Sequence, residues 1–308
     1  LIETYAFSGI KNLLNLKLKS NKIISILNFE SFSGLENLIS LDLSFNELSS
    51  LVKSPFYWTI SLKEIYLNDN QIEFIEETVF ENLNKLEKLH LEFNRIRSLN
   101  RNIFSNLKNL IILRLNHNQL SKFDQYEHLT KLEQLDLKEN CLFKLNPNSF
   151  SKFQHLKILN MSSNLLKKFS DTVFTYLNNL EHLDLSNSKL VNINYKMTFF
   201  NQTKLLSLNL NLNQLNYVSN KTFWNLIVFE YLDLSLNKIE FVESNSFQNL
   251  KKLDSLNLSF NYLKILNDQS LTGLENLKKL DLTQNRLELI DYDMRNLDSI
   301  EKLYISDN

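Results

Sequence analysis

Tyr66, His90 and Arg114 follow one another at intervals of 24 residues, and each is followed two positions later by another polar side chain, Asn68, Glu92 and Asn116. Phe93 and His117 stand directly after Glu92 and Asn116, and Asp136 with Lys138 continues the series one step further on. Aromatic rings, imidazoles and a guanidinium displayed together are the side chains on which protein–protein contacts concentrate their energy. Acid–base or metal chemistry is a weaker reading of the same letters. His90, Glu92, His117 and Asp136 lack the dense His/Cys/Asp spacing of a metal site. No HExxH, G-x-S-x-G or glycine-rich phosphate loop occurs, and three glycines in 308 residues could not build the last of these. Cys141 is the only cysteine, with no histidine at a catalytic spacing, and reads as a partly shielded thiol. These absences favour a non-enzymatic chain with no cofactor and no metal. A formal net charge of −1 with mixed signs leaves no basic footprint, so nucleic acid is not expected as a partner.

Something must hold those side chains at a fixed interval, and the sequence shows what does. The phrase LxxLxLxxNxLxxL recurs along the chain, with its Asn at Asn21, Asn46, Asn70, Asn94, Asn118, Asn140, Asn164, Asn213, Asn237, Asn261, Asn285 and Asn308, and Ser188 in its place once. A fixed period of this length marks a stacked-repeat architecture. In "LISLDLSFN" the alternation Leu41, Leu43 has the period of a strand, so Asp42 and Ser44 are expected on the outward face. Every repeat does the same, which predicts parallel strands stacked in register. The return path carries a row of phenylalanines, Phe7, Phe32, Phe56, Phe80, Phe104, Phe150, Phe174, Phe199, Phe223 and Phe247, usually with Leu three positions on, which suggests one loose turn rather than a long helix. The Asn row falls where the strand ends and the chain turns inward. A buried turn leaves backbone groups that Asn can satisfy with two donors and an acceptor, so this row is assigned a structural role. Ser188 has a shorter reach, and its turn is expected to be the least satisfied.

The outward column between the two inward leucines runs Lys17, Asp42, Tyr66, His90, Arg114, Asp136, Asn160, Asp184, Asn209, Asp233, Asn257, Asp281, Tyr304. Tyr66, His90 and Arg114 interrupt its Asp/Asn monotony. The face they mark, with Asn68, Glu92, Phe93, Asn116, His117, Asp136 and Lys138, is the candidate ligand-binding surface. A varied solvated face without a partner, or a site on another surface, are the alternatives. Phe45, Phe93 and Phe260 share one column and are expected to be half-buried packing residues. Four N-x-S/T sequons, at Asn160, Asn201, Asn220 and Asn257, are candidate glycosylation sites; Asn201 and Asn220 fall in return segments, Asn160 and Asn257 on strands.

On these motifs the chain resembles the leucine-rich repeat proteins. The 24-residue form with Phe in the return path, and phrases such as "FSGLENL" and "LTGLENL" with Gly9, Gly34 and Gly273 at one site, is similar to the subclass of animal extracellular proteins that includes Toll-like receptor, slit and chaoptin-like ectodomains. The resemblance implies an α/β repeat solenoid, a horseshoe with a parallel β-sheet on its concave face and loops or short 3-10 turns on its convex face. It also implies a protein-binding module. The ectodomain segment of an extracellular or cell-surface receptor or adhesion protein is the first expectation, with a protein ligand or co-receptor, no membrane contact by the segment itself, and any anchor outside it. A secreted matrix protein with a scaffolding role is the alternative, and a cytosolic scaffold the third. Members of this subclass usually end in Cys-rich caps, which are missing here. Residues 1–308 are therefore expected to form one domain of about 12 repeats, cut within a repeat at both ends and excerpted from a longer protein.

Overall fold

A computed structural model describes residues 1–26, 28–193, 198–267, 269–288 and 297–308. The chain divides into two compact units, one of residues 1–142 with 152–156 and one of residues 143–151 with 157–308. Each unit is a stretch of solenoid whose successive coils each place one three-residue strand beside the last. In the first unit the strands run from Asn15–Lys17 through Ser40–Asp42, Glu64–Tyr66, Lys88–His90 and Ile112–Arg114 to Gln134–Asp136. In the second they run from Ile158–Asn160 to Lys302–Tyr304. All are parallel and in register, Leu41 beside Ile65, Leu89 and Leu113. The inward member of each strand between the first and the last is buried, because the apolar alternation leaves one side of the pleat without polar atoms, while Leu16 and Leu303 in the end strands are partly open.

The return segments contain no helix among the described residues. They close single turns instead, with the N–H of Leu35 donating to the carbonyl of Phe32 at 3.2 Å and that of Leu83 to Phe80 at 3.2 Å. Most such turns carry one phenylalanine inward, and Leu271 takes its place in the turn closed by Leu274. Phe7, Phe32, Phe56 and Phe80 stack with centroids 5.8–6.2 Å apart in the first unit, and Phe150, Phe174, Phe199, Phe223 and Phe247 at 6.1–6.3 Å in the second. The shorter repeat between Asn118 and Asn140 has no such Phe. Tyr126 fills the place, edge-on to Phe104 at 5.0 Å, and burial pushes its phenol far up. Gly34 is required in its turn, with φ at +89° and only 2.9 Å between a would-be Cβ and the Ser8 backbone of the preceding repeat.

The Asn row forms a ladder of side-chain hydrogen bonds. Asn118 is typical: its Nδ2 donates to the carbonyls of Leu115 (3.1 Å) and Leu91 in the previous repeat (2.9 Å), and its Oδ1 accepts the Ile96 N–H (3.0 Å). Asn46, Asn70, Asn94, Asn140, Asn213, Asn237, Asn261 and Asn285 repeat the pattern. Asn21 is exposed, and among the described residues its side chain reaches only the carbonyl of Lys19. Ser188 is fully buried, and its one hydroxyl proton is shared between the carbonyls of Met161 (3.3 Å) and Ser186 (3.2 Å). The Ser188 and Leu190 N–H groups are held by Asn213 Oδ1 (3.1 and 2.9 Å), but among the described residues Ser188 gives the preceding repeat no such acceptor, so amide exchange at Leu166 is expected to run about tenfold faster than at Leu215, whose N–H donates to Asn237 Oδ1 at 3.0 Å. Equal protection in a mass-spectrometric exchange experiment would show that the serine turn is as well held as the asparagine turns.

Immediately before each of these residues the backbone is left-handed without a glycine. Phe45, Asp69, Phe93, His117 and Glu139 in the first unit, and Ser163, Asn187, Leu212, Leu236, Phe260 and Gln284 in the second, all have φ between 50° and 56°. This conformation ends the strand and costs a non-glycine residue about 1–2 kcal/mol.

Candidate binding face

Register brings Tyr66, His90, Arg114 and Asp136 side by side across four adjacent strands of the first unit. The Tyr66 ring stacks on the His90 imidazole, centroids 4.6 Å apart and planes 20° from parallel. Its hydroxyl donates to Glu64 Oε2 at 3.0 Å, while Lys88 holds the other carboxylate oxygen at 2.6 Å. The Lys88 ammonium keeps Glu64 below the usual carboxylate range, and burial, followed by the Glu64 contact, pushes the Tyr66 phenol up. Arg114 lies 3.8 Å from Asp136, whose carboxyl is pushed up by burial despite the N–H of Lys138 and the guanidinium.

A second tier lies where the strands end. His90 Nδ1 meets Glu92 Oε1 at 3.1 Å, and Asn68 Nδ2 donates to Asp69 at 2.9 Å. Phe93 and His117 occupy successive left-handed positions and stack at 4.1 Å with planes 12° apart, and His117 Nδ1 meets Glu139 at 2.8 Å. Lys138 Nζ lies 3.4 Å from Glu139. The Phe column is about half-buried, as its position in the phrase suggests: Phe93 is 46% exposed, Phe45 and Phe260 are exposed to a similar degree, and Phe45 packs under the Lys19 ammonium. The left-handed turn aims these side chains off the inward alternation that governs the strand. Cys141, expected to be partly shielded, proves exposed.

The Asp/Asn column is less free than its outward position suggested. Asp42 Oδ1 accepts the backbone N–H of Ser44 (2.9 Å) and its hydroxyl (2.6 Å). Asp136, Asn160, Asp184, Asn209, Asp233, Asn257 and Asp281 cap the N–H two residues on in the same way. The paired serines Ser44, Ser162, Ser186, Ser235 and Ser259 are consequently buried, although the alternation had placed Ser44 facing outward. These are Asx turns in which the side chain replaces a missing backbone acceptor. Tyr66, His90 and Arg114 cannot make them. In three consecutive repeats the N–H of Asn68, Glu92 and Asn116 therefore has no acceptor among the described residues.

Two shielded oxygens in the same tier, Glu92 Oε2 and Asn116 Oδ1, also lack a partner among the described residues. Unmet groups of this kind cost about 1–3 kcal/mol each. The face thus offers stacking surfaces, fixed charges and unused donors and acceptors, the means of recognition. No group of three or more His, Cys, Asp or Glu among the described residues could hold a metal ion. Sequence reasoning missed Glu64 and Lys88, which lie two residues before Tyr66 and His90 and share their face by strand period. Among the sequons, Asn220 is exposed, Asn201 Nδ2 donates to the Thr175 carbonyl (2.9 Å), and Asn160 and Asn257 are engaged in their own turns.

No curated protein matches the chain by sequence. Solved structures do match its fold. The crystal structure of a TLR13–ssRNA13 complex aligns at 25% identity with a TM-score of 0.68, over 99% of this chain and 52% of that one. The Drosophila Toll–Spatzle complex aligns at 25% identity with a TM-score of 0.80, over 92% and 42%. The chain therefore spans about half the length, or less, of those receptors. An internalin from Listeria monocytogenes, at 22% identity and a TM-score of 0.69 over 97% and 87%, shares the fold. The family model described as "Leucine rich repeat" matches at residues 36–96, 60–120, 85–142, 124–166, 154–197, 228–263 and 251–308, and with that coverage the chain belongs to the leucine-rich repeat family.

Proposed function

We propose that this chain is a non-enzymatic binding module, part of an extracellular receptor or adhesion protein, and that it engages a protein ligand through the face built on Tyr66, His90 and Arg114. The observation that carries this reading is the loss of self-capping in three consecutive repeats. Asp or Asn at this column satisfies its own turn, so placing Tyr, His and Arg there gives up three intrachain hydrogen bonds of about 1 kcal/mol each in the free chain. A bound partner returns that loss by meeting the open amides and covering the stacked rings. The kinship with Toll, solved in complex with Spatzle, supports a protein ligand. The expectation that nucleic acid is excluded draws no support from these relatives, since TLR13 was solved with an RNA. An extracellular home agrees with the exposed Asn220 sequon, which is the preferred glycan acceptor of the four.

The test is a screen of secreted and cell-surface proteins against the immobilised chain, followed by titration of each binder against a Tyr66→Ala/Arg114→Ala variant. Binding is expected to weaken by about 100-fold, as for removal of two interface anchors. The unfolding free energy should stay within about 0.5 kcal/mol of the parent, as for surface changes. Binders that hold the variant as tightly as the parent would move the site to another surface.

A further inference from the structure

We propose that a cleft among the return segments of the first unit binds a small quaternary ammonium ion. The cleft measures about 670 Å³ and is walled by Phe29, Tyr57 and Trp58, with Lys53, Ser54 and Glu81 at its rim. The three rings are arranged unlike the phenylalanine stack beneath them. Phe29 and Tyr57 lie 5.9 Å apart at 75°, and Tyr57 and Trp58 lie 5.3 Å apart at 79°, so each ring stands nearly upright on its neighbour. Phe29 and Tyr57 are both exposed, and Trp58 is half-buried with its Nε1 shielded and without an acceptor among the described residues. A ligand therefore reaches the indole over its carbon surface rather than through its N–H.

Successive perpendicular rings form a corner with electron-rich faces, the arrangement in which aromatic side chains attract a cation. The charges agree. The Glu81 carboxylate in the cleft lining has no hydrogen-bond or ion-pair partner among the described residues, while Glu76, outside the lining, accepts the Lys53 backbone N–H at 2.6 Å. The lining thus carries one unpaired carboxylate, Glu81, and one ammonium, Lys53. The wall is also held in place. Lys53 and Ser54 are consecutive left-handed residues, φ 60° and 43°, and the Ser54 hydroxyl is tied to Thr78 Oγ1 at 3.0 Å. Paired strain of this sort persists only where the surroundings enforce it. A methylated cation fits better than a primary ammonium or a guanidinium. Those need several acceptors to replace lost water, and the aromatic walls offer none, whereas a trimethylammonium group needs only contact and charge. The volume leaves room for the rest of a molecule of the choline class.

Trp58 and Trp224 are the only tryptophans, and Trp224 is exposed, so a Trp224→Phe variant isolates the emission of Trp58. That variant is titrated with choline and with its uncharged isostere 3,3-dimethyl-1-butanol at constant ionic strength. Saturable change is expected with choline, about tenfold tighter than with the alcohol, because only the charge differs. Tyr57→Leu and Glu81→Gln, introduced into the same variant, should each weaken choline by about tenfold while leaving the thermal transition in place. Equal affinity for the alcohol would make the cleft a plain apolar one. Absence of saturation by about 50 mM choline, or undiminished binding by folded Tyr57→Leu, would overturn the assignment.

Discussion

Replacing Phe80 by alanine is expected to destabilise the first unit by about 3–5 kcal/mol, read as a lower urea midpoint at unchanged slope. Phe80 is 1% exposed and lies parallel to Phe56 at 6.2 Å, so its loss opens a hole in the stack between two repeats. Coils of a solenoid are stabilised mainly by their neighbours, and the damage falls on interfaces the small turns cannot close by collapsing. Phe93→Ala removes the same ring from an exposed left-handed position and should cost less than about 1 kcal/mol. Comparable losses for the two variants would mean that the inward and outward phenylalanine columns do not differ as described.

Asn118→Ala is expected to cost about 3 kcal/mol in the same experiment. The substitution strands the Ile96 N–H and the carbonyls of Leu91 and Leu115, all within a turn that water does not reach. Asn21→Ala is the internal control. Its residue stands at the same place in the phrase, but it is exposed and among the described residues reaches only the Lys19 carbonyl, so the change should stay within about 0.5 kcal/mol. If both variants lose equal stability, the ladder is not what the asparagines contribute.

Parallel strands, inward leucines, the phenylalanine row and the turn asparagines were all legible in the sequence, because each depends on a residue type recurring at a fixed period. Where the sequence misled, the cause was local geometry that periodicity does not encode. Alternation placed Asp42 and Ser44 outward as if free, whereas a carboxylate reaching two residues ahead binds them into one buried turn. The shared column marked Phe93 as half-buried, which it is, but gave no sign of the left-handed φ that turns its ring onto His117. The row of Tyr66, His90 and Arg114 could be picked out as a break in a pattern. That the break also opens three backbone amides could be seen only once the neighbouring aspartates were found to cap theirs. The aromatic cleft had no signal at all, since Phe29, Tyr57 and Trp58 come from two repeats and share no period.

The left-handed residue ahead of each turn asparagine sets an alphabet for anyone wishing to re-engineer this scaffold. Serine, phenylalanine, aspartate, histidine, glutamate, leucine and glutamine all occur there, while valine, isoleucine, threonine and proline do not. Branching at Cβ collides with the backbone at such angles, and the proline ring forbids them. A combinatorial collection randomised at Asp69, Phe93, His117 and Glu139 should therefore omit those four amino acids. Glycine would enrich under selection for stability, and unbranched side chains under selection for affinity.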